Sequence, residues 1–355
     1  VVKASEVIAR EALELLWRQW ATLGAYVTAR PTRSVVMDPE AALVATCSIL
    51  GRRDPRLFDE VLEWLLINCE LIRPDRVRGL LNNWDEDTAR VLAAVADFTA
   101  EVTGKGFMEG ILEEERTRYE ARGRPTDENL FTVGAKGNPS ASNAEPAFLK
   151  WGLRRSKVRL REHAGTPDLE NPANMMLLMR VRYGKSARAE ILTYMLTGEQ
   201  GSSYHIADMT GYNQSTIIRH LKQMSKGGPV AATGTGKGKR YILEEADLLL
   251  ASWSHGAGVK MPVFTNWTFV MHSFADAAKT SMKIESGTLP EVLRVENLLD
   301  LSDRVVPRIK SAGKPTRTVR GPKPERLRGP HGIEELVAYF SRVASAVNVV
   351  LGQEI

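Results

Sequence analysis

Cysteine is nearly absent from this chain: Cys47 and Cys69 are the two in 355 residues, and both fall in apolar, helix-patterned stretches. That leaves neither a disulfide framework nor a Cys-x-x-Cys pair for zinc, and two buried free thiols are expected. Long hydrophobic runs are missing too. None approaches the roughly 20 residues of a bilayer-spanning helix, and the first residues show no basic segment followed by an apolar stretch and a small-residue cleavage site. The expected location is the cytoplasm, with no membrane partner. The six histidines, His163, His205, His220, His255, His272 and His331, form no HExxH or paired-ligand spacing, so no metal is expected. Gly184-Lys185-Ser186 lacks the phosphate-loop glycine five residues earlier, where Met179 stands. No glycine-flanked serine nucleophile occurs. The chain is read as a non-enzyme without a cofactor.

What is present is an uneven charge. Residues 1–149 hold 18 Lys/Arg and 24 Asp/Glu, net −6, whereas residues 150–355 hold 30 and 19, net +11. Residues 180–240 alone carry 10 basic and 3 acidic side chains, a balance suited to a polyanion. At 43% hydrophobic content and 355 residues, the chain can bury two or three cores.

The pattern predicts a mainly α fold. An apolar stripe through Val7, Ile8, Leu15, Leu16, Trp20, Leu23 and Val27 predicts a helix over 3–29. Asp38-Pro39 and Asp54-Pro55 each place a capping carboxylate before a proline at the first helical position. The helix after Pro55 offers Phe58, Leu62, Leu65 and Leu66 to a core and Asp59, Glu60 and Glu63 to solvent. Helices are also expected over 87–102 and 107–119, and residues 74–81 carry a faint second helix-turn-helix pattern. Trp17, Trp20, Trp64, Trp84, Trp253 and Trp267 sit in amphipathic stretches as core residues. Residues 1–122 are thus an all-α domain whose role the sequence does not disclose. Residues 123–170 are an extended linker with a basic segment over 150–163, which either follows a groove or forms a solvated surface.

Residues 203–228 carry the most specific signal. Ile206, Ala207 and Met209 suit a short helix, Thr210-Gly211 breaks it, and Asn213 is placed to cap a second. There Ile217, Leu221 and Met224 recur at i, i+4, i+7. At about 100° per residue they gather on one side, leaving Ser215, Arg219, Lys222 and Lys226 on the other, with Thr216 and Gln223 beside them. The outward face is cationic and carries no carboxylate; His220 lies at the border of the buried side. Before it, 186–197 reads as a helix with Ile191, Leu192, Met195 and Leu196 on one stripe. After it, two β-rich runs flank the tip Gly234-Thr-Gly-Lys-Gly-Lys239. A strand follows that tip rather than a helix, so it is a hairpin turn and not a nucleotide cradle.

The pattern I-A-x-x-T-G-x-x-x-S-T-I-x-R-H-L-K-x-M-x-K-G-G, with this order of three helices and a hairpin over about 183–245, resembles the winged-helix DNA-binding domain of prokaryotic transcriptional regulators. The resemblance covers under a fifth of the chain and names no narrower family. It implies operator binding, with the second helix in the major groove and the wing on the sugar-phosphate backbone. Gln214, Ser215, Thr216 and Arg219 are expected near base edges, and the capping Asn213 is counted with them as DNA-binding; Lys222, Lys226, Lys237, Lys239 and Arg240 are expected on phosphates.

The winged-helix domain is assigned to 171–253 and a helical C-terminal region to 254–355. Further helices are expected over 244–253, 267–282 and 289–303. Nine Lys/Arg, one Glu and four prolines over 304–328 read as a mobile basic loop, either a DNA contact or a solubilising surface. Ile333, Leu336, Phe340, Val343, Val347 and Val350 form a heptad seam, which pairs two chains into a dimer matching a palindromic operator or docks within its own chain. The expected function is sequence-specific double-stranded DNA binding in transcription regulation, as a homodimer. The alternatives are an antitoxin-like or defence-system subunit binding a protein partner through its acidic N-terminal domain, and a replication or partition initiator.

Overall fold

The structure, a computed structural model, describes residues 3–25, 29–123, 127–132, 139–244 and 261–353. Six helices come first: α1 (Ala4–Thr22), α2 (Pro39–Cys47), α3 (Pro55–Asn68), α4 (Pro74–Leu81), α5 (Glu86–Thr103) and α6 (Glu109–Ala121). The short α7 (Pro146–Leu149) follows, beside a parallel pair of two-residue strands, β1 (Glu128–Asn129) and β2 (Leu153–Arg154). Then come α8 (Met175–Tyr183), α9 (Ala187–Leu196), α10 (Ser203–Thr210), α11 (Gln214–Met224) and the antiparallel strands β3 (Val230–Thr233) and β4 (Arg240–Leu243). The chain closes with α12 (Trp267–Glu285), α13 (Glu291–Ser311), α14 (Pro324–Arg328) and α15 (Gly332–Leu351). The fold is mainly α. Among the described residues, no helix is long and apolar enough to cross a membrane.

The Asp-Pro starts behave as their chemistry dictates. Asp38 accepts from Ala41 N at 3.0 Å, and Asp54 from Arg56 N and Leu57 N at 3.0 and 3.1 Å. The first helix ends earlier than its stripe predicts. Gly24 takes a left-handed φ of +95° and lies so close to Thr166 that a Cβ there would meet its carbonyl oxygen at 3.0 Å.

The N-terminal helices and the C-terminal region share one core. Its buried residues run from Ile8 to Leu177 and again from Trp267 to Leu351, so the winged helix is set between two halves of a single helical body. Trp20 and Trp64 pack edge to face at 5.2 Å, with indole N–H groups on Thr46 Oγ1 (2.9 Å) and Leu23 O (2.7 Å). Phe274 of α12 meets Phe340 of α15 at 4.8 Å, and Thr32 donates to Leu351 O at 2.8 Å. Both cysteines are free and buried.

Three expectations are corrected here. The heptad seam is closed inside the chain: Leu336, Phe340, Val343 and Val347 are each 0% exposed, packed in the shared core, while Ile333 and Val350 are half-buried at its edge. The buried four therefore offer no face to a second chain. Residues 304–328 are a loop only over 312–323. Through Ser311 they continue α13, which runs across Pro307 where both Pro307 and Asp303 are exposed, so water can serve the carbonyl that proline leaves without an N–H. Beyond it Thr316 and Val319 are buried, Thr316 donates to Ile309 O at 2.6 Å, and α14 follows. Glu60 and Glu63, expected in solvent, are buried beneath the basic segment. Arg161 donates to Glu60 at 2.8 Å, and Glu63 accepts the backbone N–H groups of Arg161 (2.6 Å), His163 and Ala164 (2.9 Å). Arg155, paired with Asp59, lies over the rings of Phe58, Phe131 and Phe148. Residues 150–163 strap across the acidic body through Arg155, Arg161 and the backbone, with Lys157 and Arg159 exposed to solvent. The helix expected over 244–253 lies outside the described residues from 245 onward.

Candidate nucleic-acid interface

A second core holds the central unit. Met175, Met176, Ile191, Leu192, Tyr194, Ile206, Ile217, Leu221, Met224, Val230 and Tyr241 are buried in it together with Val36 and Phe264. Tyr194 packs edge-on to Phe264 at 5.2 Å, and Trp267 of the helical body donates its indole N–H to Val36 O at 2.8 Å.

The two short helices meet as their residues predict. Ser202 caps α10 through His205 N (3.2 Å), and the helix stops at Gly211, whose φ of +77° is the left-handed conformation glycine adopts without strain. Asn213 Oδ1 then accepts the backbone N–H of Thr216 at 2.9 Å to start α11, and the Ser215 hydroxyl donates to the same oxygen at 2.8 Å. The buried residues of α11 are Ile217, Leu221 and Met224. Opposite them Gln214, Ser215, Arg219, Lys222 and Lys226 are exposed, with Thr216 half-buried beside them. The amphipathic spacing thus fixes which side chains face outward, and Asn213 serves as a cap.

The wing is the hairpin β3–β4, with Thr233 opposite Arg240 at its distal end and Val230 opposite Leu243 at its base. Gly234 and Gly236 adopt φ of +74° and +56° at the tip. Strand β4 also docks on the segment between α9 and α10, where Tyr241 N donates to Gly201 O at 2.9 Å. Arg240 is exposed, and Lys239 Nζ sits 5.2 Å from the Tyr241 ring. Lys237 follows those glycines at the tip, between Gly236 and Gly238. The expected residues therefore fall in two groups, one on the outer face of α11 and one on the wing.

Sequence reasoning missed what lies under the turn. Arg76 of α4 is buried against it, paired with Asp38 and with Glu40 (2.7 Å), and donates Nε–H to Thr210 O at 2.9 Å. Arg180 of α8 is buried beside it, donating to Glu190 Oε1 (2.7 Å), to both oxygens of Glu40 (2.7 and 2.8 Å) and to Leu71 O (2.9 Å). Burial alone would raise the Glu40 carboxyl, but Arg180 and Arg76 outweigh it and hold it down at about 2. The same carboxylates raise both guanidinium groups against their own burial. These residues tie α2 and α4 to the helix-turn-helix through a buried ionic cluster. No periodicity marks them, because each charge reads singly as a surface residue.

Between α4, the turn and the start of α12 lies a cleft of about 750 Å3, the walls of which include Arg73, Asn82, Tyr212, Thr216, Arg219 and His220. Burial, then Arg219, Arg188 and Arg73, press His220 toward its neutral form.

Residues 185–230 match the family described as bacterial regulatory protein, arsR family, a winged helix-turn-helix family. The matched residues include α9, α10 and α11 and end as β3 begins. No curated protein and no solved structure matches the chain.

Proposed function

We propose that the protein is a sequence-specific double-stranded DNA-binding transcriptional regulator, with α11 in the major groove and the wing on the backbone. The observation that carries this reading is the outer face of α11, where Ser215, Arg219 and Lys222 stand open to solvent on a helix fixed by three buried apolar side chains, with Lys226 exposed just past its end. The match of residues 185–230 to a bacterial regulatory family supports it. Arg219 is suited to bidentate contact with a guanine edge, and Gln214 and Thr216 to hydrogen bonds with neighbouring bases. Lys222, Lys226, Lys237, Lys239 and Arg240 neutralise phosphates on either side.

The acidic N-terminal half motivated a protein-partner reading. Asp59, Glu60, Glu63 and Glu101 are engaged within the chain by Arg155, Arg161, the strap's backbone and Lys150, which weakens that motive. Selection of bound duplexes from a random library, with footprinting at several ionic strengths, tests the DNA reading directly. An enriched sequence whose protected bases are lost in Arg219→Ala supports it; no enrichment at low salt removes it. The footprint's symmetry reports whether one or two copies bind.

A further inference from the structure

We propose that the cleft between α4 and the helix-turn-helix is a binding site for a small ligand carrying a phosphate or diphosphate group. Its volume of about 750 Å3 lies within the roughly 300–1,000 Å3 of small-molecule sites. Its wall is mostly polar, which disfavours an apolar occupant.

Three wall residues carry a buried nitrogen or oxygen with no partner: Arg73 Nη1, Tyr212 OH and His220 Nδ1. They are neighbours, since the Arg73 guanidinium lies 5.8 Å from the Tyr212 ring centre, and His220 feels the charge of Arg73, Arg188 and Arg219. An unmade hydrogen bond at a buried polar atom is costly, so a ligand that reaches this corner gains bonds the folded chain leaves unmade. Arg76, by contrast, is consumed by Asp38, Glu40 and Thr210 and is not available to a ligand.

The donors of the wall select the ligand. Arg73 and Arg219 stand among the side chains of Asn82, Asn83, Ser186 and Tyr212, and the two wall carboxylates, Asp75 and Asp208, are exposed, Asp75 lying 3.7 Å from Arg73. The starts of α9, α11 and α12 also border the cleft, adding their partial positive ends. At α9 the capping residue Ser186 makes no side-chain hydrogen bond to the helix. A compact polyanion with several acceptor oxygens fits this wall best. The binding site stands on the cleft alone; its regulatory meaning rests on the DNA-binding reading, because Thr216 and Arg219 belong to both surfaces.

The test is isothermal titration of the full chain with inorganic pyrophosphate at low, matched ionic strength. Saturable one-to-one binding is expected, weakened at least tenfold in Arg73→Gln and in the double variant Asn82→Asp, Asn83→Asp. The second variant keeps every buried pair and adds negative charge at two exposed wall positions. Lys310→Gln, at an exposed cation on α13, is expected to leave the affinity unchanged. Absence of saturable binding, or an equal loss in Lys310→Gln, overturns the proposal, as does wild-type affinity in the double aspartate variant. Duplex binding by the same preparations separates the two ideas. Pyrophosphate binding without any duplex binding leaves the cleft site standing and removes the regulator reading; duplex binding without pyrophosphate binding does the reverse.

Discussion

Arg76, in the fourth helix of the chain, holds the carbonyl oxygen of Thr210 at the end of α10 with its Nε–H, across 134 positions of sequence. The helix-turn-helix therefore has its turn pinned from beneath by a guanidinium whose other nitrogens are held by Asp38 and Glu40.

Removing that guanidinium leaves the buried Asp38 carboxylate without its cation, while Glu40 keeps Arg180. Arg76→Ala is expected to destabilise the protein by about 3–5 kcal/mol in denaturant unfolding, the usual result of breaking one side of a buried ion pair. A loss below about 1 kcal/mol would show that the cluster is wetter and weaker than its burial implies.

Acid should act through the same cluster. Glu40 stays charged in the folded protein down to about 2, against about 4.3 in an unfolded chain. A carboxyl depressed in this way contributes stability that is fully present above its unfolded value and lost as pH falls from about 4.3 toward 2. Glu40→Gln is expected to flatten that limb of the stability profile; an unchanged slope over the same window places the acid sensitivity elsewhere.

For DNA binding, Arg219→Ala is expected to cost roughly 1–3 kcal/mol on the selected duplex and to relax preference at one base pair. Equal weakening on selected and random duplexes would reassign Arg219 to the backbone. Lys222→Ala with Lys226→Ala should weaken both duplex classes and lower the slope of log affinity against log salt by about 0.9 per lost contact. A slope that stays put argues that these lysines point past the DNA.

Phe340 provides the check on the C-terminal helix. With its ring fully buried against Phe274, Phe340→Ala is expected to lower unfolding stability by about 3–5 kcal/mol. The unfolding midpoint should not depend on protein concentration. A midpoint that climbs with concentration would return the seam to a role between chains.

The parts legible in sequence were those whose signal is local. The cap at Asn213, the break at Gly211 and the spacing of Ile217, Leu221 and Met224 all lie between positions 211 and 224, and hydrogen-bond geometry ties each to one conformation. The Asp-Pro starts at 38 and 54 were legible for the same reason. What escaped was long-range. Ser5 meets Glu285 at 2.6 Å and Thr32 meets Leu351, pairings that no window along the chain can show. The seam of α15 illustrates the limit well, since periodicity states that a face is covered but not by what. Composition also misled over 304–311, where proline and positive charge masked a continuing helix.

The sharing of one core by the first and last helices bears on how the protein is made. As the chain leaves the ribosome, α1 emerges long before α12 and α15, so its oily flank must wait uncovered while the central unit is still being synthesised. A product ending before α12 is accordingly expected to bind a hydrophobic dye and to call on chaperones, whereas the finished protein is not; a dye-silent truncated product would mean that α1 finds another cover.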